Sequence, residues 1–153
     1  MCILTDRHGN VLLSFEHMEE TCLQSPPVDA PITHALIVVK HRDKYLLGFN
    51  VWRKQWEIFG GIIDPGETPR QAVLRELQEE AGIYIENADF LGLTKLRLQP
   101  DDHLEYGALF GVDLPILPPV ELCYEILGFI LWDKTTNIGP LSEIDAQCLD
   151  YLA

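Results

Sequence analysis

Residues 60–83 read GGIIDPGETPRQAVLRELQEEAGI and enclose a helix whose two ends can be recognised from the sequence. Thr68 is a good N-cap, and Gln71 completes a capping box with it. Pro69 fits the first helical position, where the missing N–H costs nothing. Gly82 fits the left-handed position that ends a helix. This stretch therefore predicts a well-defined helix near the centre of the chain.

The predicted helix, Pro69 to Ala81, has an apolar stripe that should pack on a sheet and a separate acidic face. Glu76, Glu79 and Glu80, the helix carboxylates, project from that acidic face and repel one another. Arg75 supplies only part of the counter-charge. A hard divalent cation, Mg²⁺ or Mn²⁺, would supply the rest, because such ions take carboxylate oxygens as ligands. A merely solvated acidic face is the alternative.

The residues fixed around this helix follow a longer pattern. Gly61, Glu67, Arg75-Glu76-Leu77, Glu79-Glu80 and Gly82-Ile83 reproduce GX5EX7REUXEEXGU, in which U is aliphatic. This pattern resembles the Nudix box of the Nudix hydrolases, which is also the box of MutT-like proteins. The resemblance implies an α/β (α+β) fold, the Nudix-type α/β/α sandwich with a mixed β-sheet. It also implies hydrolysis of a nucleoside diphosphate derivative by a metal-activated water that attacks phosphorus.

The resemblance gives roles to individual residues. The helix carboxylates, Glu76, Glu79 and Glu80, resemble metal ligands, and the carbonyl of Gly60 resembles a backbone ligand. Arg75 resembles the residue that orients a helix carboxylate. Glu67 resembles the acid that buttresses the loop and helix, so the predicted catalytic residues are Glu67, Arg75, Glu76 and Glu79.

The general base is left open by the resemblance, because the family draws it from the box helix or from elsewhere in the chain. Glu76 or Glu79 is our first expectation. Glu105, Glu121 and Glu125 are candidates outside the box. Of these three we favour Glu121, because a connection that follows two prolines could swing over a cleft, whereas the other two lie in strand-like segments.

Substrate contacts are predicted from cationic and aromatic residues near the box, since no lysine follows Gly60-Gly61. The candidates are Arg53, Lys54, Lys95 and Arg97 for phosphate, and Trp52 and Trp56 for stacking on a base. From this set we predict Arg53, Trp56 and Arg97 as substrate-binding residues. Pro100, a short distance after the box, is typical of some relatives that cleave ADP-ribose.

The composition limits the classes of function. The chain has 153 residues, with 24 acidic against 11 basic side chains and a formal net charge of −13. That charge disfavours a protein that binds DNA or RNA duplexes through basic residues, but it suits an anionic substrate that arrives as a metal complex. No apolar run approaches the roughly 20 residues of a membrane span. The four cysteines lack CxxC spacing, which favours reduced thiols and a cytoplasmic protein.

The remaining sequence predicts strands around the central helix. Residues 1–30 form an N-terminal hairpin and connector, with strands at 2–5 and 11–15, and residues 31–153 form the Nudix hydrolase domain. The predicted strands of that domain are 32–40, 45–49, 90–98, 105–114 and 123–131, with a closing amphipathic helix over 141–152. The hairpin could add strands to the sheet or pair across a homodimer.

Three functions follow from these patterns. A Mg²⁺-dependent hydrolase that cleaves a nucleoside triphosphate to a monophosphate and pyrophosphate is the first. An ADP-ribose or nucleotide-sugar pyrophosphatase is the second. A nucleotide-binding sensor without turnover is the third, although the box has every catalytic-type position filled. In all three the partner is a small nucleotide.

Overall fold

A computed structural model describes residues 2–27 and 29–152. Its strands are β1 (Leu4–Thr5), β2 (Val11–His17), β3 (Ile32–His41), β4 (Lys44–Asn50), β5 (Gln55–Glu57), β6 (Phe59–Ile62), β7 (Asp89–Leu98), β8 (His103–Asp113) and β9 (Ile126–Trp132). Its helices are α1 (Pro69–Ala81) and α2 (Glu143–Cys148), with short 3-10 turns at Glu20–Gln24 and Leu149–Tyr151.

Strand β3 lies at the centre of a mixed sheet. It pairs parallel with β8, antiparallel with β6 along its first half and antiparallel with β4 at its end. The strands follow the order β1-β2-β7-β8-β3-β4-β5, with β9 along the opposite edge of β4. Strand β6, which leads into the box, is therefore held directly against the central strand.

Two cores lie on opposite faces of the sheet because side chains alternate along β3. Ile37 and its neighbours on one face pack with Val73 and Leu77 of α1. Val38 on the other face packs with Cys148 at the end of α2. The predicted α/β/α sandwich with a mixed sheet is confirmed by this arrangement of layers.

Both predicted ends of α1 are confirmed. Thr68 Oγ1 accepts a hydrogen bond from Gln71 N at 3.1 Å, and Gln71 Oε1 accepts one from Thr68 N at 2.9 Å. Gly82 ends the helix with φ of +68°. The helix thus begins and ends through contacts within the box itself.

The predicted closing helix over 141–152 is too long. Leu141 instead forms a bridge with Trp56, and Ser142 caps a helix that runs only from Glu143 to Cys148. The last predicted strand also begins later, at Ile126 rather than 123, since the Glu125 carbonyl accepts from Val51 in the loop after β4. Long-range backbone contacts shorten both elements.

The N-terminal hairpin joins the same sheet. Strand β2 pairs antiparallel with β7, and β1 pairs with β2 at the sheet edge. Of the two arrangements predicted for the hairpin, the structure therefore shows the one in which its strands join the chain's own sheet.

All four cysteines are free thiols. Within residues 2–27 and 29–152, no helix has the length and apolar character that a membrane span requires.

Candidate active site

A cavity of about 840 Å³ lies alongside β6 and α1, a size that suits a nucleotide. Among the described residues, five glutamates line it, Glu57, Glu76, Glu79, Glu80 and Glu125, together with Asp6, Asp64 and Asp145. Arg53 is the only lysine or arginine among the described residues that line it. The helix carboxylates predicted from the sequence thus face one shared space, with further acids from outside the helix.

Strand β6 approaches β3 so closely at Gly60 that no side chain fits there. Gly60 has φ of +147°, and a Cβ built on it would lie 2.2 Å from the backbone oxygen of Ala35. Its N–H donates to Glu80 Oε1 at 2.8 Å. The glycine therefore fixes both the loop and one carboxylate of the helix.

The next glycine serves Glu76 in a similar way. A Cβ on Gly61 would lie 2.6 Å from Glu76 Oε1, so any larger residue would displace that carboxylate. The side chain of Glu76 is largely buried against this bare backbone, with 15% of it exposed. Gly61 thus allows Glu76 to lie directly on the loop.

Arg75 joins the loop to the helix carboxylates. Its Nε and Nη2 donate to the two oxygens of Glu67 at 2.8 and 2.9 Å, and Nη2 also reaches the carbonyl of Ile62. Its Nη1 donates to Glu76 Oε1 at 2.9 Å and to Glu79 Oε2 at 3.2 Å. A bidentate pair of this kind fixes orientation as well as charge, because the guanidinium fork matches the carboxylate.

Charge on the loop side is compensated. The hydrogen bonds from Arg75, together with the N–H of Asp64, lower the pKa of Glu67 to about 2. The same contacts with Glu67 raise the pKa of Arg75. Both groups stay ionised over the whole physiological range, so the buttress of the loop does not titrate.

Charge on the helix side is only partly compensated, because Arg75 contacts Glu76 and Glu79 but not Glu80. Burial raises the pKa of Glu80 to about 8; the Gly60 N–H opposes that rise, and the charges of Glu125 and Glu76 add to it. Burial also raises the pKa of Glu76, against the opposing effect of Arg75. A cluster of acids that resists ionisation in this way favours a bound cation, which would stabilise the charged forms.

The donor set fits a hard divalent cation. In their present rotamers no three His, Cys, Asp or Glu side chains of the described residues converge on one point. Each helix carboxylate nevertheless keeps one oxygen without a hydrogen-bond partner in the described chain, because Arg75 and Gly60 occupy only the other oxygen. Glu79 has 57% of its side chain exposed and has room to rotate. Oxygen ligands of this kind suit Mg²⁺ or Mn²⁺.

The candidate bases outside the box lie in different places. Glu125 lines the cavity. Glu105 does not line it and is held by Thr33 at 2.8 Å and by His103. Glu121 packs against Gly82 at the far end of α1, and its N–H donates to the carbonyl of Ala81. Of these three acids, Glu125 is the one that the structure brings to the cavity.

The three predicted substrate-binding residues are separated by strand alternation. Arg53 lines the cavity and forms a bidentate pair with Glu57 at 2.6 and 2.9 Å. Trp56 does not line the cavity. Its two neighbours on β5 face the cavity, so the Trp56 side chain faces the other side of the strand, where its Nε1 donates to the Ile138 carbonyl. Arg97 likewise lies between two cavity-lining leucines of β7 and points away, toward Asp102. The structure thus does not bring Trp56 and Arg97 to this cavity. The other two cations considered, Lys54 and Lys95, do not line the cavity either.

Trp52 replaces Trp56 as the aromatic residue at the cavity. Its side chain is 61% exposed and meets the Tyr124 ring edge-on at 6.0 Å between centroids. The buried side chain of Asn50 accepts from the N–H of Trp52 at 3.0 Å and from that of Arg53 at 2.9 Å. An Asn before a tight loop was the sequence signal for this arrangement.

Other lining residues carry no signal in the sequence. They are Asp6, His8 and Asn10 from the turn between β1 and β2, His34 and Leu36 from β3, and Ser142, Ile144 and Asp145 around the start of α2. Burial raises the pKa of Asp145, whose Oδ2 accepts from the Ile58 N–H at 3.0 Å. Only the tertiary fold brings these segments to the box.

The chain is similar to a known family of protein domains and to several known proteins. The model of the NUDIX domain family matches residues 30–119. The uncharacterized Nudix hydrolase YvcI of Bacillus subtilis is 37% identical over 118 residues, which cover 75% of this chain and 75% of that protein. The RNA pyrophosphohydrolase of Hydrogenovibrio crunogenus is 37% identical over 104 residues, which cover 68% of this chain and 62% of that protein.

Among solved structures, the Bacillus subtilis pyrophosphohydrolase BsRppH resembles this chain along nearly its whole length. The TM-score is 0.70 at 20% identity, over 97% of this chain and 94% of that one. At such low identity the likeness concerns the fold, which includes the N-terminal and C-terminal strands and helices outside the matched domain.

Proposed function

Because this chain belongs to the Nudix hydrolase family, whose members act on pyrophosphate bonds, we propose that it is a Mg²⁺-dependent (or Mn²⁺-dependent) nucleoside triphosphate pyrophosphohydrolase. The observation that carries the proposal is the set of five glutamates around one nucleotide-sized cavity. Arg75 shares its single charge among Glu67, Glu76 and Glu79, so most of the negative charge on the helix is left for a cation.

A divalent ion bound there would neutralise phosphate charge and lower the pKa of an attacking water. The protein's own residues set the geometry. Arg75 holds Glu76 and Glu79, and Gly60 N–H holds Glu80, so the ligand oxygens are presented from a rigid helix. Glu76, Glu79 and Glu125 are the carboxylates in place to accept the proton of the attacking water.

Besides the carboxylates, the cavity offers two side chains that can contact the substrate directly. Arg53 is held at the cavity by Glu57 and can donate to a phosphate oxygen. The exposed ring of Trp52 next to it offers the substrate an apolar face. The four free thiols suit the reducing cytoplasm, where we place the enzyme.

A second candidate substrate is the 5′-triphosphate end of an RNA. It is supported by the relative named RNA pyrophosphohydrolase, which is 37% identical over 104 residues. The same bond would be cleaved, with the rest of the RNA outside the cavity. The net charge of −13 and the single arginine at the cavity favour the free nucleotide, because a longer anion gains little from this surface.

Product analysis tests the proposal. Wild-type protein with Mg²⁺ and a panel of nucleoside triphosphates should release pyrophosphate and a monophosphate, and EDTA should stop the release. Glu80→Gln should lose turnover, whereas Glu121→Gln, an acid outside the cavity, should keep it. AMP released from ADP-ribose, with no product from triphosphates, would instead support the pyrophosphatase alternative, and tight nucleotide binding without any product would support the sensor.

A further inference from the structure

The turn between β1 and β2, residues 6–10, is a rigid structure at the wall of the cavity. Asp6 Oδ1 accepts from the N–H of His8 at 2.8 Å and from that of Asn10 at 2.9 Å. Asp6, His8 and Asn10 all line the cavity. Gln99, in the turn after β7, donates its N–H to Asn10 Oδ1 at 2.9 Å. The turn is thus fixed both internally and to the neighbouring strand.

Arg7 attaches this turn to the start of α2 and to β5. Its Nη1 donates to the carbonyl of Leu141 at 2.9 Å and to Glu143 Oε1 at 2.5 Å, and its backbone N–H donates to Glu143 Oε2 at 3.1 Å. Its Nη2 donates to Gln55 Oε1 at 2.7 Å. Four contacts from one residue tie the turn to α2 and to β5.

The contact with Gln55 continues into the cavity. Gln55 is buried, and its Nε2 donates to Glu57 Oε2 at 2.7 Å. Glu57 in turn holds Arg53 through two hydrogen bonds. A chain of four side chains therefore runs from the N-terminal turn to the cavity's arginine.

The surface beside the turn is suited to a nucleoside rather than to phosphate. Leu96, Leu98 and Ile144 give it an apolar wall. His8 lies at its edge, and its ring has no hydrogen-bond partner within the described residues. A base and sugar combine apolar faces with polar edges, and this wall with one free imidazole matches that combination.

We infer that the β1–β2 turn binds the nucleoside end of the substrate, with His8 in contact with its polar edge and Arg7 as the positioning residue that locks the turn in place. This inference rests on the proposed function, which places the phosphates at the carboxylates of the box. It gives the N-terminal hairpin a role in recognition, in addition to its place at the sheet edge.

Steady-state kinetics with Arg7→Met, His8→Ala and the double variant test this inference. Each single change should raise KM for a nucleoside triphosphate roughly three- to tenfold, as expected for a lost hydrogen bond, and should leave kcat within about twofold. The KM of the double variant should be no higher than the larger of the two single-variant KM values, because both changes act through the same contact. Lys134→Met, which removes a surface ion pair with Asp150, is the matched control and should leave KM unchanged.

Inhibition by inorganic tripolyphosphate separates the nucleoside from the phosphates. Its inhibition constant should be the same for wild type and for His8→Ala, because the compound has no nucleoside. Equal weakening of tripolyphosphate and of nucleotide would overturn the inference, as would an unchanged KM in His8→Ala. Arg7→Lys should recover part of the nucleotide affinity.

Equilibrium binding of a non-hydrolysable nucleoside triphosphate analogue, measured with Mg²⁺, keeps this test separate from the proposed function. Weaker binding by His8→Ala would support the turn as a binding element even if wild-type protein released no product. Equal binding by both proteins would overturn the inference while leaving hydrolysis untouched.

Discussion

Replacement of Glu80 by glutamine should stabilise the metal-free protein while it abolishes hydrolysis. Glu80 is only 5% exposed, and burial raises its pKa from 4.5 to about 8. The folded protein therefore disfavours the ionised carboxylate that metal binding requires. Glutamine keeps an oxygen that can accept from the Gly60 N–H, now at 2.8 Å from the carboxylate, and carries no charge.

The sign and size of the effect follow from the two pKa values. Because the pKa of Glu80 is higher in the folded than in the unfolded state, its contribution is most favourable below pH 4.5 and is lost as pH rises to about 8. At 1.36 kcal/mol per pKa unit, the free energy of unfolding falls by about 3 kcal/mol by pH 7 and by about 4 to 5 kcal/mol above pH 8. Glu80→Gln does not titrate and avoids this loss.

Urea unfolding in EDTA at pH 5, 7 and 8.5 measures the effect. The stability of Glu80→Gln minus that of wild type should grow by about 3 to 4 kcal/mol over this range. Glu79→Gln, at an exposed position of the same helix, is the control and should differ from wild type by a small and constant amount. A difference for Glu80→Gln that does not change with pH would refute the reasoning, because burial would then not control the charge.

Three further substitutions follow from the geometry. Gly60→Ala places a Cβ 2.2 Å from a backbone oxygen and should cost more than about 3 kcal/mol of stability; a melting temperature near that of wild type would contradict it. Trp52→Ala should raise KM with little change in stability, whereas Trp56→Ala, at a packed position, should lose about 3 kcal/mol; the opposite pattern would be inconsistent with their placement. Glu125→Gln should lower kcat by about a hundredfold or more, and Glu121→Gln should not; equal losses would argue against Glu125.

The features that sequence predicted best are those set within a few residues. The capping box at Thr68 and the left-handed Gly82 need only their own neighbours, so α1 was bounded correctly at both ends. The spacing of the helix carboxylates follows from the helix period, which places them on the cavity. Local rules of this kind operate before the tertiary structure is known.

The features that sequence did not predict depend on strand register and on distant segments. Trp56 and Arg97 have the right chemistry for substrate, but each lies on a strand whose alternate residues face the cavity. Glu125 and Glu121 are four positions apart, and they are separated by backbone contacts with distant residues, Val51 after β4 for Glu125 and Ala81 at the end of α1 for Glu121. The proximity of the N-terminal turn to the box arises from β2–β7 pairing, which no local pattern encodes.

The parallel pairing of β3 with β8 has a consequence for synthesis on the ribosome. Ile37 pairs with Phe110, 73 positions later, so the central strand lacks one neighbour until most of the chain has been made. At about 5 to 20 residues per second, roughly 3 to 10 s separate the synthesis of Gly60 from that of the end of β8. During this interval α1 has only an unfinished sheet to pack on. In this interval α1 is stabilised mainly by the hydrogen bonds at its own ends, the same bonds that allowed its bounds to be predicted from the sequence.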